Sequence, residues 1–214
     1  DVATGDQWKY VLGSMFTGER DDIYDALLNL SENDNLGKIL TAQELLRYLE
    51  QRGHRSRNLA EDRNIPRQLN RLNTRFAENF RPIEGKLFIP AETYMILQAI
   101  QEGENVLLLG EAGVGKSGCI QAVRANLEAQ HIPYLALSMD KNMPRDTPEQ
   151  YGVSLGLTAS PVDCLESQLA EGQQGVLLLD QLDTLRWATQ SCKEALTVCR
   201  EMVKQAQFSK DSKK

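Results

Sequence analysis

Residues Asn105 to Gly118 read NVLLLGEAGVGKSG. Four apolar residues run into Gly110, and a loop of small residues closes on Gly115, Lys116 and Ser117. A short continuous apolar run predicts a strand covered on both faces. The stretch that follows, SGCIQAVRANLEAQ, spaces Ile120, Val123 and Leu127 along one face of a helix. Gly110 to Ser117 fits GxxxxGK[ST] at each fixed position, in the strand–loop–helix context that the pattern requires. Glycines let successive backbone N–H groups turn inward around a phosphate, where a Cβ would collide or force unfavourable angles. The helix starting near Lys116 adds unpaired N–H groups and a positive dipole end. The candidate nucleotide-binding residues are therefore Gly110, Glu111, Ala112, Gly113, Val114, Gly115, Lys116, Ser117 and Gly118. In this scheme Lys116 supplies charge to the outer phosphates and the Ser117 hydroxyl ligates Mg²⁺.

A second signal lies downstream. In GVLLLDQLD, Asp180 follows four residues of buried type. A carboxylate at the C-terminal end of a parallel strand faces the crevice where such sheets bind ligands. There Asp180 can hold the Mg²⁺ shell from the side opposite Ser117, through water. Asp180, Asp183 and Lys116 are the candidate catalytic residues. Asp183 could polarise an attacking water or cap the next helix, and only geometry decides between these. Asp140 ends the stretch IPYLALSMD and reads as an ordinary turn residue.

Between these motifs the chain alternates strand and helix. IPYLALSMD is a second strand, SPVDCLESQLAEG a short helix, GVLLLDQLD a third strand and SCKEALTVCREMVKQAQF a long helix. This βαβαβα order predicts an α/β fold: the N-terminal part of a P-loop NTPase core, a three-layer parallel sheet with helices on its faces. The expected domains are a mainly helical region over 1–85 and an incomplete NTPase core over 86–214. In the first, RDDIYDALLNLSEND spaces Ile23, Leu27 and Leu30 helically. LTAQELLRYLEQRGH opens with Thr41 and Glu44 in capping-box relation, turns Leu45, Leu46 and Leu49 inward and stops at Gly53. NIPRQLNRLNTRFAENF places Asn64 as a cap and Leu69, Leu72, Phe76 and Phe80 on an apolar face. RPIEGKLFIPAE reads as a linker or hairpin arm, and AETYMILQAIQEGE as a helix ended by Gly103.

Bulk properties narrow the function classes. With 214 residues, 41% hydrophobic and 25% charged, the chain has the composition of a soluble globular protein. No apolar run reaches membrane-spanning length and no secretory leader is evident. It opens at Asp1 rather than Met, and is expected to be a piece of a longer protein. A net charge of −6 argues against wholesale nucleic-acid binding. Cys119, Cys164, Cys192 and Cys199 lack CxxC spacing, and with two histidines no zinc site can be argued. They read as reduced thiols, Cys192 and Cys199 on one helical stripe. Arg63, Arg67, Arg71 and Arg75 recur every fourth residue. Such a row can grip a nucleic-acid backbone or an acidic partner, but more often is a solvated face. Trp8 and Trp187 read as packing residues.

LLLGEAGVGKSG, IPYLALSMD, LGLTASPVDCL and GVLLLDQLDTL together resemble the NTPase core of STAND proteins, signal-transducing ATPases related to NACHT ATPases and to bacterial antiviral proteins. The resemblance covers about residues 65–190 and includes the lead-in RLNTRFAENFRPIEGKLFIPAE. It implies a cytoplasmic switch rather than a metabolic enzyme. ATP with Mg²⁺ would support self-oligomerisation and activate an effector once an unknown trigger protein is sensed, in anti-phage or innate defence. By position, Gly110, Gly113, Gly115, Lys116 and Ser117 carry over as the Walker A loop, Asp180 as the Walker B acid and Asp183 as a second acidic position. Two departures stand out. Ala91 occupies a place where relatives tend to have arginine. In the family a further strand lies between the P-loop strand and the Walker B strand, and the chain reaches Lys214 without one. Those two strands are then expected not to pair, leaving apolar edges. Other readings are a remodelling or loader ATPase acting on protein or DNA, and a non-catalytic interaction module with a degenerate loop. Lys116, Ser117 and Asp180 count against the last. The absence of an NKxD-like signature favours adenine over guanine, so ATP and ADP are the expected ligands.

Overall fold

The computed structural model describes residues 5–31, 41–81, 90–111, 113–186 and 190–212. The chain divides into two compact units, Asp1–Asp62 and Arg63–Lys214. The helix expected to belong with the N-terminal region thus packs with the C-terminal unit.

In the first unit, α1 (Gly5–Met15), α2 (Arg20–Asn29) and α3 (Ala42–Gln51) close on Leu12, Phe16, Ile23, Ala26 and Leu49. The Thr41 hydroxyl accepts the Glu44 N–H, and the Glu44 carboxylate accepts the Thr41 N–H, so two orphan donors are met reciprocally. These bonds hold the Glu44 carboxyl below its ordinary value. Gly53, at φ 89°, ends the turn after α3, as the left-handed region requires. A Phe16–Ser56 bridge ties the segment after α3 to the end of α1. Leu46 was expected inside and Trp8 in packing, but they are 37% and 51% exposed.

The second unit contains α4 (Asn64–Glu78), α5 (Glu92–Gln101), α6 (Lys116–Ala129), β1 (Tyr134–Ser138), α7 (Pro148–Ser154), α8 (Pro161–Glu166), β2 (Val176–Asp180) and α9 (Gln190–Ser212). Helix α4 starts at Asn64 itself, with Arg63 rather than Asn64 in the cap position. Its stripe of Ile65, Leu69, Leu72 and Phe76 is buried. The Asn73 carboxamide donates to Tyr134 O at 2.8 Å and accepts from Ala136 N at 2.9 Å. It thereby supplies the outer edge of β1 with the partners a further strand would have given. Gln121 of α6 donates to Phe76 O at 3.2 Å, which fixes α4 from a second side.

β1 and β2 run parallel, with Tyr134 opposite Val176 and Ser138 opposite Asp180. Behind them Ile100, Val123, Leu127 and Val176 form one core cluster. Met139, Tyr151, Val198 and Met202 are also fully or almost fully buried. Ser160 caps α8 by accepting the Asp163 N–H, and Pro161 follows it in the first turn. Burial pushes the thiols of Cys164 and Cys199 up to about 11. Cys119, Cys164 and Cys199 are free and buried, as packing residues are. The side chain of Cys192, Trp187 and the expected hairpin arm at 82–89 lie outside the described residues.

The expected three-layer parallel sheet is not what forms. Among the described residues the chain is mostly helical, and its sheet has two strands, β1 and β2. The expected strand at Asn105–Gly110 joins no ladder. A strand exists only where a neighbour meets its N–H and C=O groups, and no described segment does so for this run. Leu107 and Leu109 are 71% and 72% exposed, so the run lacks the cover on both faces that its composition suggested.

Candidate functional site

The glycine loop enters α6 by a left-handed step. Gly113 and Gly115 have φ of 85° and 96°, conformations that L side chains rarely adopt. A Cβ at either would meet nothing within 4 Å, so the backbone angle, not crowding, demands glycine at both. Gly110 differs: a Cβ there would come within 2.8 Å of Val114 Cγ2, so glycine lets the loop close on itself. Gly115 is the residue preceding α6 and makes no side-chain cap, which leaves the first-turn N–H groups of Lys116, Ser117 and Gly118 to other acceptors.

The Lys116 ammonium donates to Gly110 O and Glu111 O, each at 2.8 Å. The lysine therefore spans its own loop and holds its two ends together. Glu111 and Val114 are exposed on the loop, and Ala112 lies outside the described residues.

β2 carries Asp180 to the same place. Ser117 Oγ lies 3.4 Å from Asp180 Oδ1, at the long limit for a hydrogen bond between them. Partial burial raises the Asp180 carboxyl above its ordinary value. Bonds from the Gln181 N–H and from Ser117 oppose that shift, and the charges of Asp140 and Asp183 add to it. Asp183 sits exposed at the start of a 3-10 turn, Leu182–Arg186. Asp140 accepts from Ser138 Oγ at 2.6 Å and pairs with Lys141, the behaviour of a turn residue.

Gln181 is a site residue that motif reading passes over. Its φ is 61°, unusual for a residue with a side chain. That backbone turn sends its N–H to Asp180 Oδ1 at 2.8 Å and its side-chain amide to Ser117 Oγ at 3.4 Å. Thr184 Oγ1 donates to Gln181 O at 2.7 Å and holds the turn. The only signal in sequence is its position between the two acids.

Loop and acids open on one cleft of about 1700 Å³, larger than the roughly 300–1,000 Å³ of an ordinary small-molecule site. The extended run Val106–Leu109 and the side chains of Leu177 and Leu179 line it, as do Phe80 and Arg81. Among the described residues no group of three or more His, Cys, Asp or Glu side chains could hold a metal by itself. One hydroxyl and one carboxylate are what a Mg²⁺ ion shared with phosphate oxygens and waters takes from protein. A glycine loop, a lysine ammonium and a hydroxyl–carboxylate oxygen pair are chemically suited to phosphate oxygens with Mg²⁺. Compared with protein-family models, curated proteins and solved structures, the chain matches none.

Proposed function

We propose that this chain is the MgATP-binding module of a nucleotide-driven switch of the STAND kind that its motifs resemble. The observation that carries the reading is the Ser117–Asp180 pair, 3.4 Å apart at the mouth of a glycine loop that ends in Lys116. Loop amides and the start of α6 bind the phosphates. Lys116 exchanges two backbone carbonyls for phosphate oxygens, so its charge moves from bracing the loop to neutralising ligand. Ser117 and Asp180 would hold Mg²⁺, whose charge would offset that of the outer phosphates. Asp180 must be ionised for this, and its raised pKa makes protons compete with the cation. Asp183, exposed three residues beyond Asp180, is the group assigned to accept a proton from a water attacking the terminal phosphate, giving ADP and phosphate.

The wider reading follows from the resemblance. Bound ATP supports self-association, a trigger protein sets the switch, and an effector answers it in a cytoplasmic defence setting. No helix among the described residues is long and apolar enough to cross a membrane. The test is the molar mass of the chain by light scattering without nucleotide, with MgADP and with MgATP. The reading expects growth with MgATP alone, abolished in Ser117→Ala. Equal masses in all states would remove the switch and leave a plain nucleotide-binding module.

A further inference from the structure

The arginine row of α4 takes no part in the nucleotide site, and the helix that carries it is anchored by a buried stripe and by bonds to two other elements. Leu69, Leu72 and Phe76 bury one side of the helix, while Asn73 and the Phe76 carbonyl bond it to β1 and α6. Arg63, Arg67, Arg71 and Arg75 run from the opposite side round to the flank of that stripe, and all four are exposed. Among the described residues none of them enters an ion pair. Residues 63–78 hold these four arginines against a single acid, Glu78. Glu128, which lines a small hollow with Asn70 and Thr74, is already paired with Arg124. The row spans about 18 Å, with one arginine every four residues, about 6 Å of helix rise.

We propose that this face of α4 docks the phosphodiester backbone of a nucleic acid. Two features favour that occupant over an acidic protein. Asn70 and Thr74 are exposed between the arginines, and amide and hydroxyl groups are what commonly join arginine on phosphate and sugar oxygens. The face also lacks any exposed aromatic or large aliphatic side chain, the anchor that protein interfaces bury at their centre. Nucleic-acid interfaces are polar and strongly cationic, and need none. Guanidinium groups bind phosphate through paired N–H donors, so an all-arginine row suits the backbone better than lysine would. The acidic balance of the whole chain confines the attraction to this row. The contact is one of backbone charge rather than base sequence.

The test is fluorescence anisotropy of a labelled mixed-sequence duplex of about 20 base pairs with the whole chain, over salt from about 50 to about 200 mM. Three or four phosphate contacts predict a log–log salt slope of about −2.7 to −3.6, an affinity loss of about 40- to 150-fold across that range. The triple variant Arg67→Gln, Arg71→Gln, Arg75→Gln should bind at least about tenfold more weakly with a slope near −1. Its helical circular dichroism and its MgATP affinity should be unchanged, because the row touches neither the core nor the cleft. Absence of binding at the lowest salt would overturn the proposal, as would binding that the triple variant retains. Polyglutamate of matched charge competing as well as unlabelled duplex would overturn it in favour of an acidic protein.

Discussion

Ser117 Oγ and Asp180 Oδ1 stand 3.4 Å apart although 63 positions separate them in the chain. Two independent devices bring them together. The left-handed step at Gly115 starts α6 so that Ser117 falls in its first turn, and the parallel register of β2 on β1 sets Asp180 opposite Ser138. Gln181 then bonds to both partners and determines which carboxylate oxygen faces the hydroxyl.

Asp180 is the member of this pair whose charge is costly. The folded carboxyl keeps its proton to higher pH than an ordinary aspartate with a value of 3.8, mainly through burial. Between the unfolded and folded values the native state binds more protons, so stability falls as pH rises through that window. Above it the cost is complete. Asp180→Asn should therefore raise Tm at neutral pH. The same variant should remove the Mg²⁺-dependent part of nucleotide affinity. In the wild type that part should weaken on acidification at a pH above the ordinary aspartate value. A lowered Tm in a folded Asp180→Asn chain, read by calorimetry at neutral pH, would contradict this electrostatic account.

Asn73 is expected to matter for stability more than a polar residue on a mostly solvated helix usually does. Asn73→Ala removes both bonds to β1 and leaves the buried Ala136 N–H without an acceptor. The expected loss is about 1–3 kcal/mol by urea denaturation, with faster hydrogen exchange at the Ala136 amide. An unchanged exchange rate there would show that the edge of β1 is satisfied in another way.

Leu107 and Leu109 make the opposite case. Both are more than two-thirds exposed on a run that, among the described residues, pairs with no strand. Leu107→Gln with Leu109→Gln should change stability by no more than about 0.5 kcal/mol. It should also reduce concentration-dependent association, because an exposed apolar patch drives contact between copies. Light scattering across a concentration series reads the second effect directly, and an equal slope in both chains would contradict it.

Local chemistry was legible where one or two neighbouring residues decide it. The Thr41–Glu44 capping box, the Ser160–Pro161 helix start and the glycine loop all form where sequence places them. Pairing was not legible, because a run such as Val106–Leu109 reports its wish for burial but not who supplies its ladder. Helix α7 went unread although Thr147 caps it and Pro148 opens it, since Gly152 sits inside it as a breaker would. Gly152 is there for space: a Cβ would collide with the Ala159 carbonyl oxygen. Gln181 was missed because its contribution is a backbone angle, and no residue pattern announces a positive φ in glutamine. Lys116, Ser117 and Asp180 could be singled out in the sequence because phosphate chemistry restricts those residue types, and the fold brings all three to one cleft. The fold around it depends on distant partners, which leave no such mark.

The most direct measurement is calorimetric titration of MgATP into this chain and into Lys116→Ala. Lys116 makes the two loop-spanning bonds and is the cation assigned to phosphate. The wild type should bind in a stoichiometric step, and the variant should lose about 10- to 100-fold in affinity, as removal of a charged hydrogen-bonding group does. Circular dichroism should show the variant folded. Equal MgATP affinity in the two folded chains, or none in the wild type, would contradict the assignment of this loop as the nucleotide site.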